Sequence, residues 1–175
     1  MTEKLSPQEL GDLAQGQYQE GDYSSAEKTF AEAAVAFTEF GDLPMSAEMK
    51  NNQSVALLRG KRAQAALEAA QGTDTIFADA GDNRRQGMAL ANQASALAAL
   101  NRTAEATDFY TRAGAALEKA GELDYRLEVM QLLSTLYLRK LKIFDAIIAL
   151  QSGLAGIKNP TPKQRFMKML LFFRI

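Results

Sequence analysis

The chain has 175 residues, of which 47% are hydrophobic and 23% are charged, and its formal net charge is −1. This length and apolar content suit one domain with a sizeable core. Cysteine, histidine and tryptophan are absent. Disulfides are therefore excluded, together with most zinc sites and with catalytic nucleophiles that depend on a thiol or an imidazole.

The sequence repeats its pattern with a period of 40 residues. A small residue at a fixed position lets two helices cross at close range, and a glycine provides the left-handed conformation that ends a helix. Both kinds of residue recur in this frame, as Ala26, Ala66, Ala106 and Ala146 and as Gly41, Gly81 and Gly121. The pattern predicts an all-α protein of stacked helical hairpins within residues 1–157.

We predict four units, at about 6–42, 43–82, 83–122 and 123–157, each made of two helices. The first helix starts at Ser6-Pro7-Gln8-Glu9, which is a capping box with proline at the first helical position. In the second unit we expect one continuous second helix from Arg62 to Ala80. The acids Asp74, Asp79 and Asp82 lie around a turn, and we interpret them as solvated residues placed by the helix dipole.

The fourth unit and the segment after it differ from the rest. The stretches LEVMQLLSTLYLRKL and IFDAIIALQSGLAGI hold more large aliphatic residues than one buried stripe requires. Residues 1–138 carry 12 basic and 20 acidic side chains, a difference of −8, whereas residues 139–175 carry eight basic and one acidic, a difference of +7. The chain therefore has an acidic body and a basic, apolar end.

We predict a separate short helix within residues 158–175, starting at Thr161-Pro162, that is too short to cross a bilayer. Three roles stay open for it. The first is to close the array, with Phe166, Met169, Leu170 and Phe173 on the fourth unit. The second is to lie on an anionic membrane surface, and the third is to dock to another protein or a second copy. The candidate contact residues are Lys163, Arg165, Phe166, Lys168, Met169, Leu170, Phe173 and Arg174.

The small-residue columns resemble the tetratricopeptide repeat (TPR). They include Ala14, Ser54, Ala94 and Ser134, the four alanines named above, and Ala33, Ala113 and Gly153. The period of 40 is similar to that of the longer TPRs of Pins-like polarity scaffolds and bacterial regulators. Departures from the pattern are Gln53 and Gln93 at a position that is normally leucine, and Thr73 at a position that is normally small. The resemblance implies a right-handed α-solenoid of about four TPR-like hairpins plus a C-terminal helix.

The resemblance also implies a protein-binding groove lined by the first helix of each unit, on the concave side. Asn52 and Asn92 are the strongest candidates, because an amide offers both a donor and an acceptor to a bound peptide. They could equally cap or bridge neighbouring helices. The predicted groove residues are Asp12, Gln15, Asn52, Val55, Arg59, Arg85, Met88, Asn92, Ser95, Glu128, Thr135 and Arg139, with Gln8, Glu48 and Leu132 on the same face. Glu128 and Leu132 argue against a basic clamp for a terminal carboxylate.

Other functions find little support in the residues. The sequence lacks the glycine-rich motifs that cradle phosphate. Lys61-Arg62 and Arg84-Arg85 are isolated basic pairs on an acidic body, so we expect no nucleic-acid binding. We predict a scaffold or adaptor that binds a protein or peptide, without catalytic residues, metal or cofactor. The alternative is a peripheral membrane or self-assembling homo-oligomeric protein that acts through its C-terminal helix.

The N-terminal segment MTEKLSPQEL is polar and has no apolar signal core. It indicates a cytoplasmic location, with at most a peripheral contact to the inner face of a membrane.

Overall fold

The structure is a computed structural model that describes residues 5–172, and within that range all regular secondary structure is helical. The two helices of a unit pack on each other, and the first helix of each later unit packs on the second helix of the unit before it. The ten described helices are α1 Pro7–Gln19, α2 Tyr23–Phe40, α3 Leu43–Arg59, α4 Ala63–Ala70, α5 Thr73–Asp79, α6 Asn83–Ala99, α7 Thr103–Lys119, α8 Leu123–Arg139, α9 Ile143–Leu154 and α10 Pro162–Phe172.

The helix starts follow from local side-chain chemistry. The capping box forms at α1, where Ser6 Oγ accepts from Glu9 N at 3.3 Å and Glu9 Oε2 accepts from Ser6 N at 2.8 Å. Three aspartates at the N-cap position, Asp22, Asp42 and Asp82, cap α2, α3 and α6. Each carboxylate satisfies a backbone N–H that has no partner within its helix.

Two columns of left-handed residues hold the units in a 40-residue register. One lies between units, at Gly41, Gly81 and Gly121, with φ of 89°, 71° and 75°. The other lies at the turn within each unit, where φ ranges from 57° to 84°, and its members are Gly21, Lys61, Asn101 and Leu141. Only the first member of the second column is a glycine, so position in the repeat sets this conformation even where the residue does not favour it.

The alanine column lies at the centre of the core. All four of its members, at positions 26, 66, 106 and 146, are at most 2% exposed. A Cβ at Gly87 would lie 2.6 Å from Leu117 Cγ, and one at Gly153 would lie 2.8 Å from Met130 Cβ. The helices therefore approach too closely for larger residues at these points.

The second unit departs from the prediction, because its second helix is broken into α4 and α5 at Gln71-Gly72. Gly72 has φ of 78°. The buried Thr73 hydroxyl lies 2.7 Å from the carbonyl oxygen of Ala70 and 3.1 Å from Asn51 Oδ1. In a continuous helix the Ala70 carbonyl would accept from the backbone N–H of residue 74. The threonine thus stabilises the break that the glycine permits.

The fourth unit ends early. Helix α7 ends at Lys119, which is equivalent to position 159, whereas α9 ends at Leu154. The buried side chain of Arg126 binds this end, with Nη2 donating to Ser152 Oγ at 3.0 Å and Nη1 donating to the Ser152 carbonyl. A cation at a helix C-terminus satisfies free carbonyls and complements the helix dipole.

Helix α10 folds back on α9, but not by the face that we expected. Gln151 Nε2 donates to the Leu171 carbonyl at 2.7 Å, and Lys168 Nζ donates to the Ile157 carbonyl at 3.0 Å. The expected packing residues Phe166, Met169 and Leu170 are instead 57%, 49% and 59% exposed. The early end of α9 changes the path into α10, and the half-buried residues are now Gln164, Met167, Lys168 and Leu171. Phe173 and Arg174 lie outside the described residues.

Substitution of Gly72 by alanine should lower the free energy of unfolding by roughly 1–2 kcal/mol, the cost of a left-handed residue with a Cβ. No atom lies within 4 Å of the added Cβ, so the effect isolates backbone conformation. Gly16→Ala is the matched control, because its Cβ also meets nothing within 4 Å but its backbone is helical. It should stabilise the protein by about 0.5–1 kcal/mol. Urea unfolding of both variants measures the two changes in the free energy of unfolding. If both variants are stabilised or both are destabilised, this account of the break is contradicted.

Candidate functional site

A polar cavity of about 320 Å³ lies between α3 and α6. Helix α5 contributes a buried aromatic ring to its wall, and every other lining residue comes from α3 or α6. The lining residues are Glu48, Asn51, Asn52, Phe77, Arg84, Arg85, Met88 and Asn92.

Arg85 is fixed in this cavity by three contacts. Its Nε donates to Asp82 Oδ2 at 2.6 Å, its Nη1 donates to Glu48 Oε2 at 3.1 Å, and its Cζ lies 5.0 Å from the centroid of the Phe77 ring. The hydrogen bond to Asp82 is the main reason why the pKa of Arg85 is raised above its usual value. The guanidinium therefore stays charged and joins α3, α5 and the start of α6.

Asn52 and Asn92 line the same cavity and are half-buried. Within residues 5–172, neither side-chain amide makes a hydrogen bond to the protein, whereas the neighbouring Asn51 is bonded to Thr73. The alternative that these two residues cap or bridge helices thus has no hydrogen bond to support it in the described structure. Their donors and acceptors border the cavity instead.

A second cavity of about 220 Å³ lies between α6, α7 and α8. Ser95 Oγ donates to the Ala91 carbonyl at 2.8 Å and lies 3.1 Å from the Tyr110 hydroxyl. Burial raises the pKa of Tyr110, although the hydrogen bond with Ser95 opposes the shift, so the phenol stays protonated. The lining residues are Ser95, Ala98, Ala99, Tyr110, Leu132, Thr135, Leu136 and Arg139.

Helix α6 contributes to both cavities with a single face. Met88 and Asn92 line the first cavity, and Ser95 and Ala99 line the second. Spacings of three and four residues place these four side chains on one side of a helix. The two cavities therefore follow one another along α6, and together we call them the groove strip.

The structure brings seven of the twelve predicted groove residues to this strip. Asn52, Arg85, Met88 and Asn92 line the first cavity, and Ser95, Thr135 and Arg139 line the second. The other five line neither cavity: Asp12, Gln15, Val55, Arg59 and Glu128. Among them, Arg59 Nε donates to the Tyr18 hydroxyl at 3.3 Å and thereby joins α3 to α1.

Sequence reasoning missed seven lining residues: Asn51, Phe77 and Arg84 in the first cavity, and Ala98, Ala99, Tyr110 and Leu136 in the second. Phe77 and Tyr110 belong to the second helices of their units, which we did not expect to reach the groove. Arg84 pairs with Glu122 Oε1 at 3.0 Å and lies over the Tyr125 ring. Its neighbour Arg85 was already a candidate, so the adjacent basic residue was the signal that could have identified it.

A buried polar cluster connects α5, α6 and α7, and it corrects the expectation that Asp74 is solvated. Asp74 is 9% exposed, its Oδ1 accepts from Gln93 Nε2 at 2.9 Å, and its Oδ2 lies 3.4 Å from Arg112 Nη2. Asp79 is exposed. The cluster also explains why Gln93 replaces the usual leucine, because a buried carboxylate requires a hydrogen-bond donor.

Three solved structures match this arrangement over nearly the whole chain. BtubC (BKLC) from P. vanneervenii matches with a TM-score of 0.72 at 22% identity, over 90% of this chain and 64% of that one. A putative kinesin light chain from Podosopora anserina with nearly identical TPR-like repeats matches with 0.74 at 17% identity, over 98% of this chain and 86% of that one. Its Q17M variant matches with a TM-score of 0.75 at 16% identity, over 97% of this chain and 86% of that one.

The chain has a TPR-like fold. It spans less than two thirds of the length of BtubC. No protein-family model matches the sequence, and no curated protein matches it either. Among residues 5–172, no helix has the length and apolar character needed to span a bilayer.

Asp82, which caps α6, makes a pH-dependent contribution to the stability of the folded protein. The backbone N–H of Arg85 donates to its carboxylate and is the main reason why its pKa lies below 3.8. A carboxylate with a lowered folded pKa stabilises the protein above its unfolded pKa, and this contribution is lost as the pH falls through the folded value.

Asp82→Asn keeps a capping side chain but removes the charge. It should lower the free energy of unfolding by about 0.5–1 kcal/mol at neutral pH. The difference from the unsubstituted protein should disappear as the pH falls below about 4. Urea titrations across this pH range measure it, with the exposed Asp79→Asn as control. A difference that is constant with pH would show that the charge of Asp82 plays no part.

Proposed function

We propose that the protein is a protein–protein interaction scaffold that binds an extended peptide segment along the groove strip. One observation carries the proposal. Asn52 and Asn92 are 40 residues apart, they line one cavity, and their amides make no hydrogen bond within the described residues. Polar groups in a half-buried cavity are costly to leave unpaired, and a bound backbone would satisfy them.

The chemistry of the strip fits a peptide. Each amide can donate to a peptide carbonyl and accept from a peptide N–H, which gives affinity without dependence on sequence. Met88 and Leu132 are 37% and 47% exposed and provide apolar contacts for peptide side chains. A methionine adapts its shape to different side chains, so this contact favours a medium-sized apolar residue without demanding one.

The spacing of the strip also fits extended chain. Met88 and Ser95 are seven residues apart on α6, which corresponds to roughly 10 Å along the helix. About three residues of an extended peptide cover that distance. A segment of six or more residues would therefore pass both cavities.

The proposed role is binding without catalysis. The hydroxyls of Ser95 and Thr135 donate to the backbone carbonyls of Ala91 and Gln131 at 2.8 and 2.9 Å. A hydroxyl nucleophile needs a neighbouring base to activate it, and a carbonyl oxygen is not one. The TPR-like fold supports the same role, because stacked hairpins form an extended surface for partners.

The double substitution Asn52→Ala/Asn92→Ala should weaken peptide binding and leave stability unchanged, because neither amide bonds to the protein. Peptides selected from a displayed random library against the intact chain supply the probe. Fluorescence anisotropy should show a loss of affinity of roughly 10- to 100-fold, as expected for two to four hydrogen bonds.

The matched control is Gln64→Ala/Gln71→Ala, which removes two exposed amides that border a different cavity, between α4 and α7. It should leave the affinity unchanged. If the asparagine variant binds the selected peptides as tightly as the unsubstituted chain, the groove strip is not the binding site. The same conclusion holds if only the glutamine variant loses affinity.

A further inference from the structure

An apolar groove of about 570 Å³ lies beside α1 and α2, near the start of the helical array. Among the described residues, Leu5 and residues of these two helices line it. Five lining residues are apolar and two are acidic: Leu5, Leu10, Ala31, Val35, Ala36, Glu32 and Glu39. Val35 is 59% exposed, and neither Glu32 nor Glu39 forms an ion pair within the described residues. We call this surface the head groove.

Helix α10, at the other end of the described chain, carries the opposite chemistry. Phe166, Met169 and Leu170 are about half or more exposed and form an apolar ridge. The exposed side chains of Lys163 and Arg165 lie on the same short helix. The sequence contains an acid excess of eight in residues 1–138 and a basic excess of seven in residues 139–175, so this polarity extends over the whole molecule.

We propose that the protein associates head to tail, with α10 of one copy lying in the head groove of the next copy. The apolar ridge would contact Leu10, Val35 and the two alanines, and the basic side chains would face Glu32 and Glu39. Apolar contact provides the main stabilisation, and the charges select the partner and orient it.

The dimensions of the two surfaces agree. Helix α10 has 11 residues, which corresponds to roughly 16 Å. The groove residues of α2 extend from position 31 to position 39, which corresponds to roughly 12 Å along that helix. The whole ridge can therefore lie along the groove without either helix changing its length.

Comparison with equivalent positions in later units shows that part of the α1 surface is suited to burial. Leu10 is half-buried and Leu13 is 45% exposed, whereas the equivalent residues of the third and fourth units, Leu90 and Leu133, are 1% and 5% exposed. In the middle of the array neighbouring helices cover these positions. A second copy in the head groove would cover Leu10 in the same way.

Charge also decides between a second copy and a membrane. An anionic membrane would attract the basic side chains of α10 but would repel the acidic side chains of the head groove. A second copy uses both surfaces. Because the two surfaces differ, the contact is heterologous, and it produces open chains or rings of copies rather than a two-fold dimer.

Sedimentation velocity of the full chain tests the proposal. The mass should rise with protein concentration, and salt should weaken the association because it screens the charges. Phe166→Asp blocks the ridge and Val35→Asp blocks the head groove, and each should weaken association by roughly tenfold or more. Phe144→Asp is the matched control: Phe144 is 83% exposed on α9 and lies outside both surfaces, so its substitution should leave association unchanged.

Mixing the two blocked variants gives the sharpest outcome. The Val35→Asp copy keeps its ridge and the Phe166→Asp copy keeps its groove, so an equimolar mixture should form a dimer that grows no further. Thermal unfolding should show all three variants folded, because each substituted residue is exposed. The proposal is overturned if the unsubstituted chain stays monomeric at every concentration, if the mixture stays monomeric, or if Phe144→Asp disrupts association as much as Phe166→Asp.

Flotation with anionic vesicles covers the remaining alternative. A monomeric chain that floats with vesicles, and that loses flotation on Phe166→Asp, would assign the ridge to a membrane and overturn the proposal. Association is independent of peptide binding, because the head groove and the groove strip share no residue. The Asn52→Ala/Asn92→Ala variant should therefore associate normally, whatever happens to its peptide affinity.

Discussion

The close approach of neighbouring helices is the constraint on which this structure depends. It requires side chains no larger than alanine at one position in every unit, and all four alanines there are at most 2% exposed. It leaves no room for a side chain at Gly87 and Gly153, where even a Cβ would overlap with Leu117 or with Met130 Cβ. Because the same helix contact recurs every 40 residues, each unit has the same geometry. Equivalent helices therefore present the same face on the same side of the array. The groove strip is a product of that alignment.

The second unit shows how polar residues replace apolar packing where the repeat is interrupted. Thr73 and Asp74 occupy buried positions at the start of α5, and they are paired with Asn51 and Gln93 from the two helices that line the first cavity. Hydrogen bonds are directional, so these pairs fix α3 and α6 relative to α5 more specifically than an apolar contact would. The broken helix also places Phe77 under Arg85, at 5.0 Å from ring centroid to guanidinium carbon. The interruption and the proposed binding site are therefore parts of one arrangement.

Sequence patterns predicted the fold because small residues and left-handed turns repeat at a fixed interval, and each has a single physical reason. Position in the repeat also determines which face of each first helix a residue occupies, and seven of the twelve residues proposed for the groove line the two cavities. The sequence patterns did not predict Phe77 in the cavity wall, because it belongs to a second helix and the pattern assigned the groove to first helices. The face of α10 was also mispredicted. The chain enters α10 from the end of α9, which Arg126 binds from α8, and no local pattern reveals that contact.

The groove strip and the head-to-tail surfaces have a joint consequence. The strip runs across α3, α6 and α8, and the association surfaces lie at α1–α2 and at α10. Association would thus leave the strip of every copy open and would place several equivalent strips on one assembly. A partner with repeated binding segments would then be held by several weak contacts at once, and its effective affinity would greatly exceed that of one strip. A single strip of two small cavities needs only modest affinity in such an assembly, which agrees with a site built from two amides and a few exposed apolar side chains.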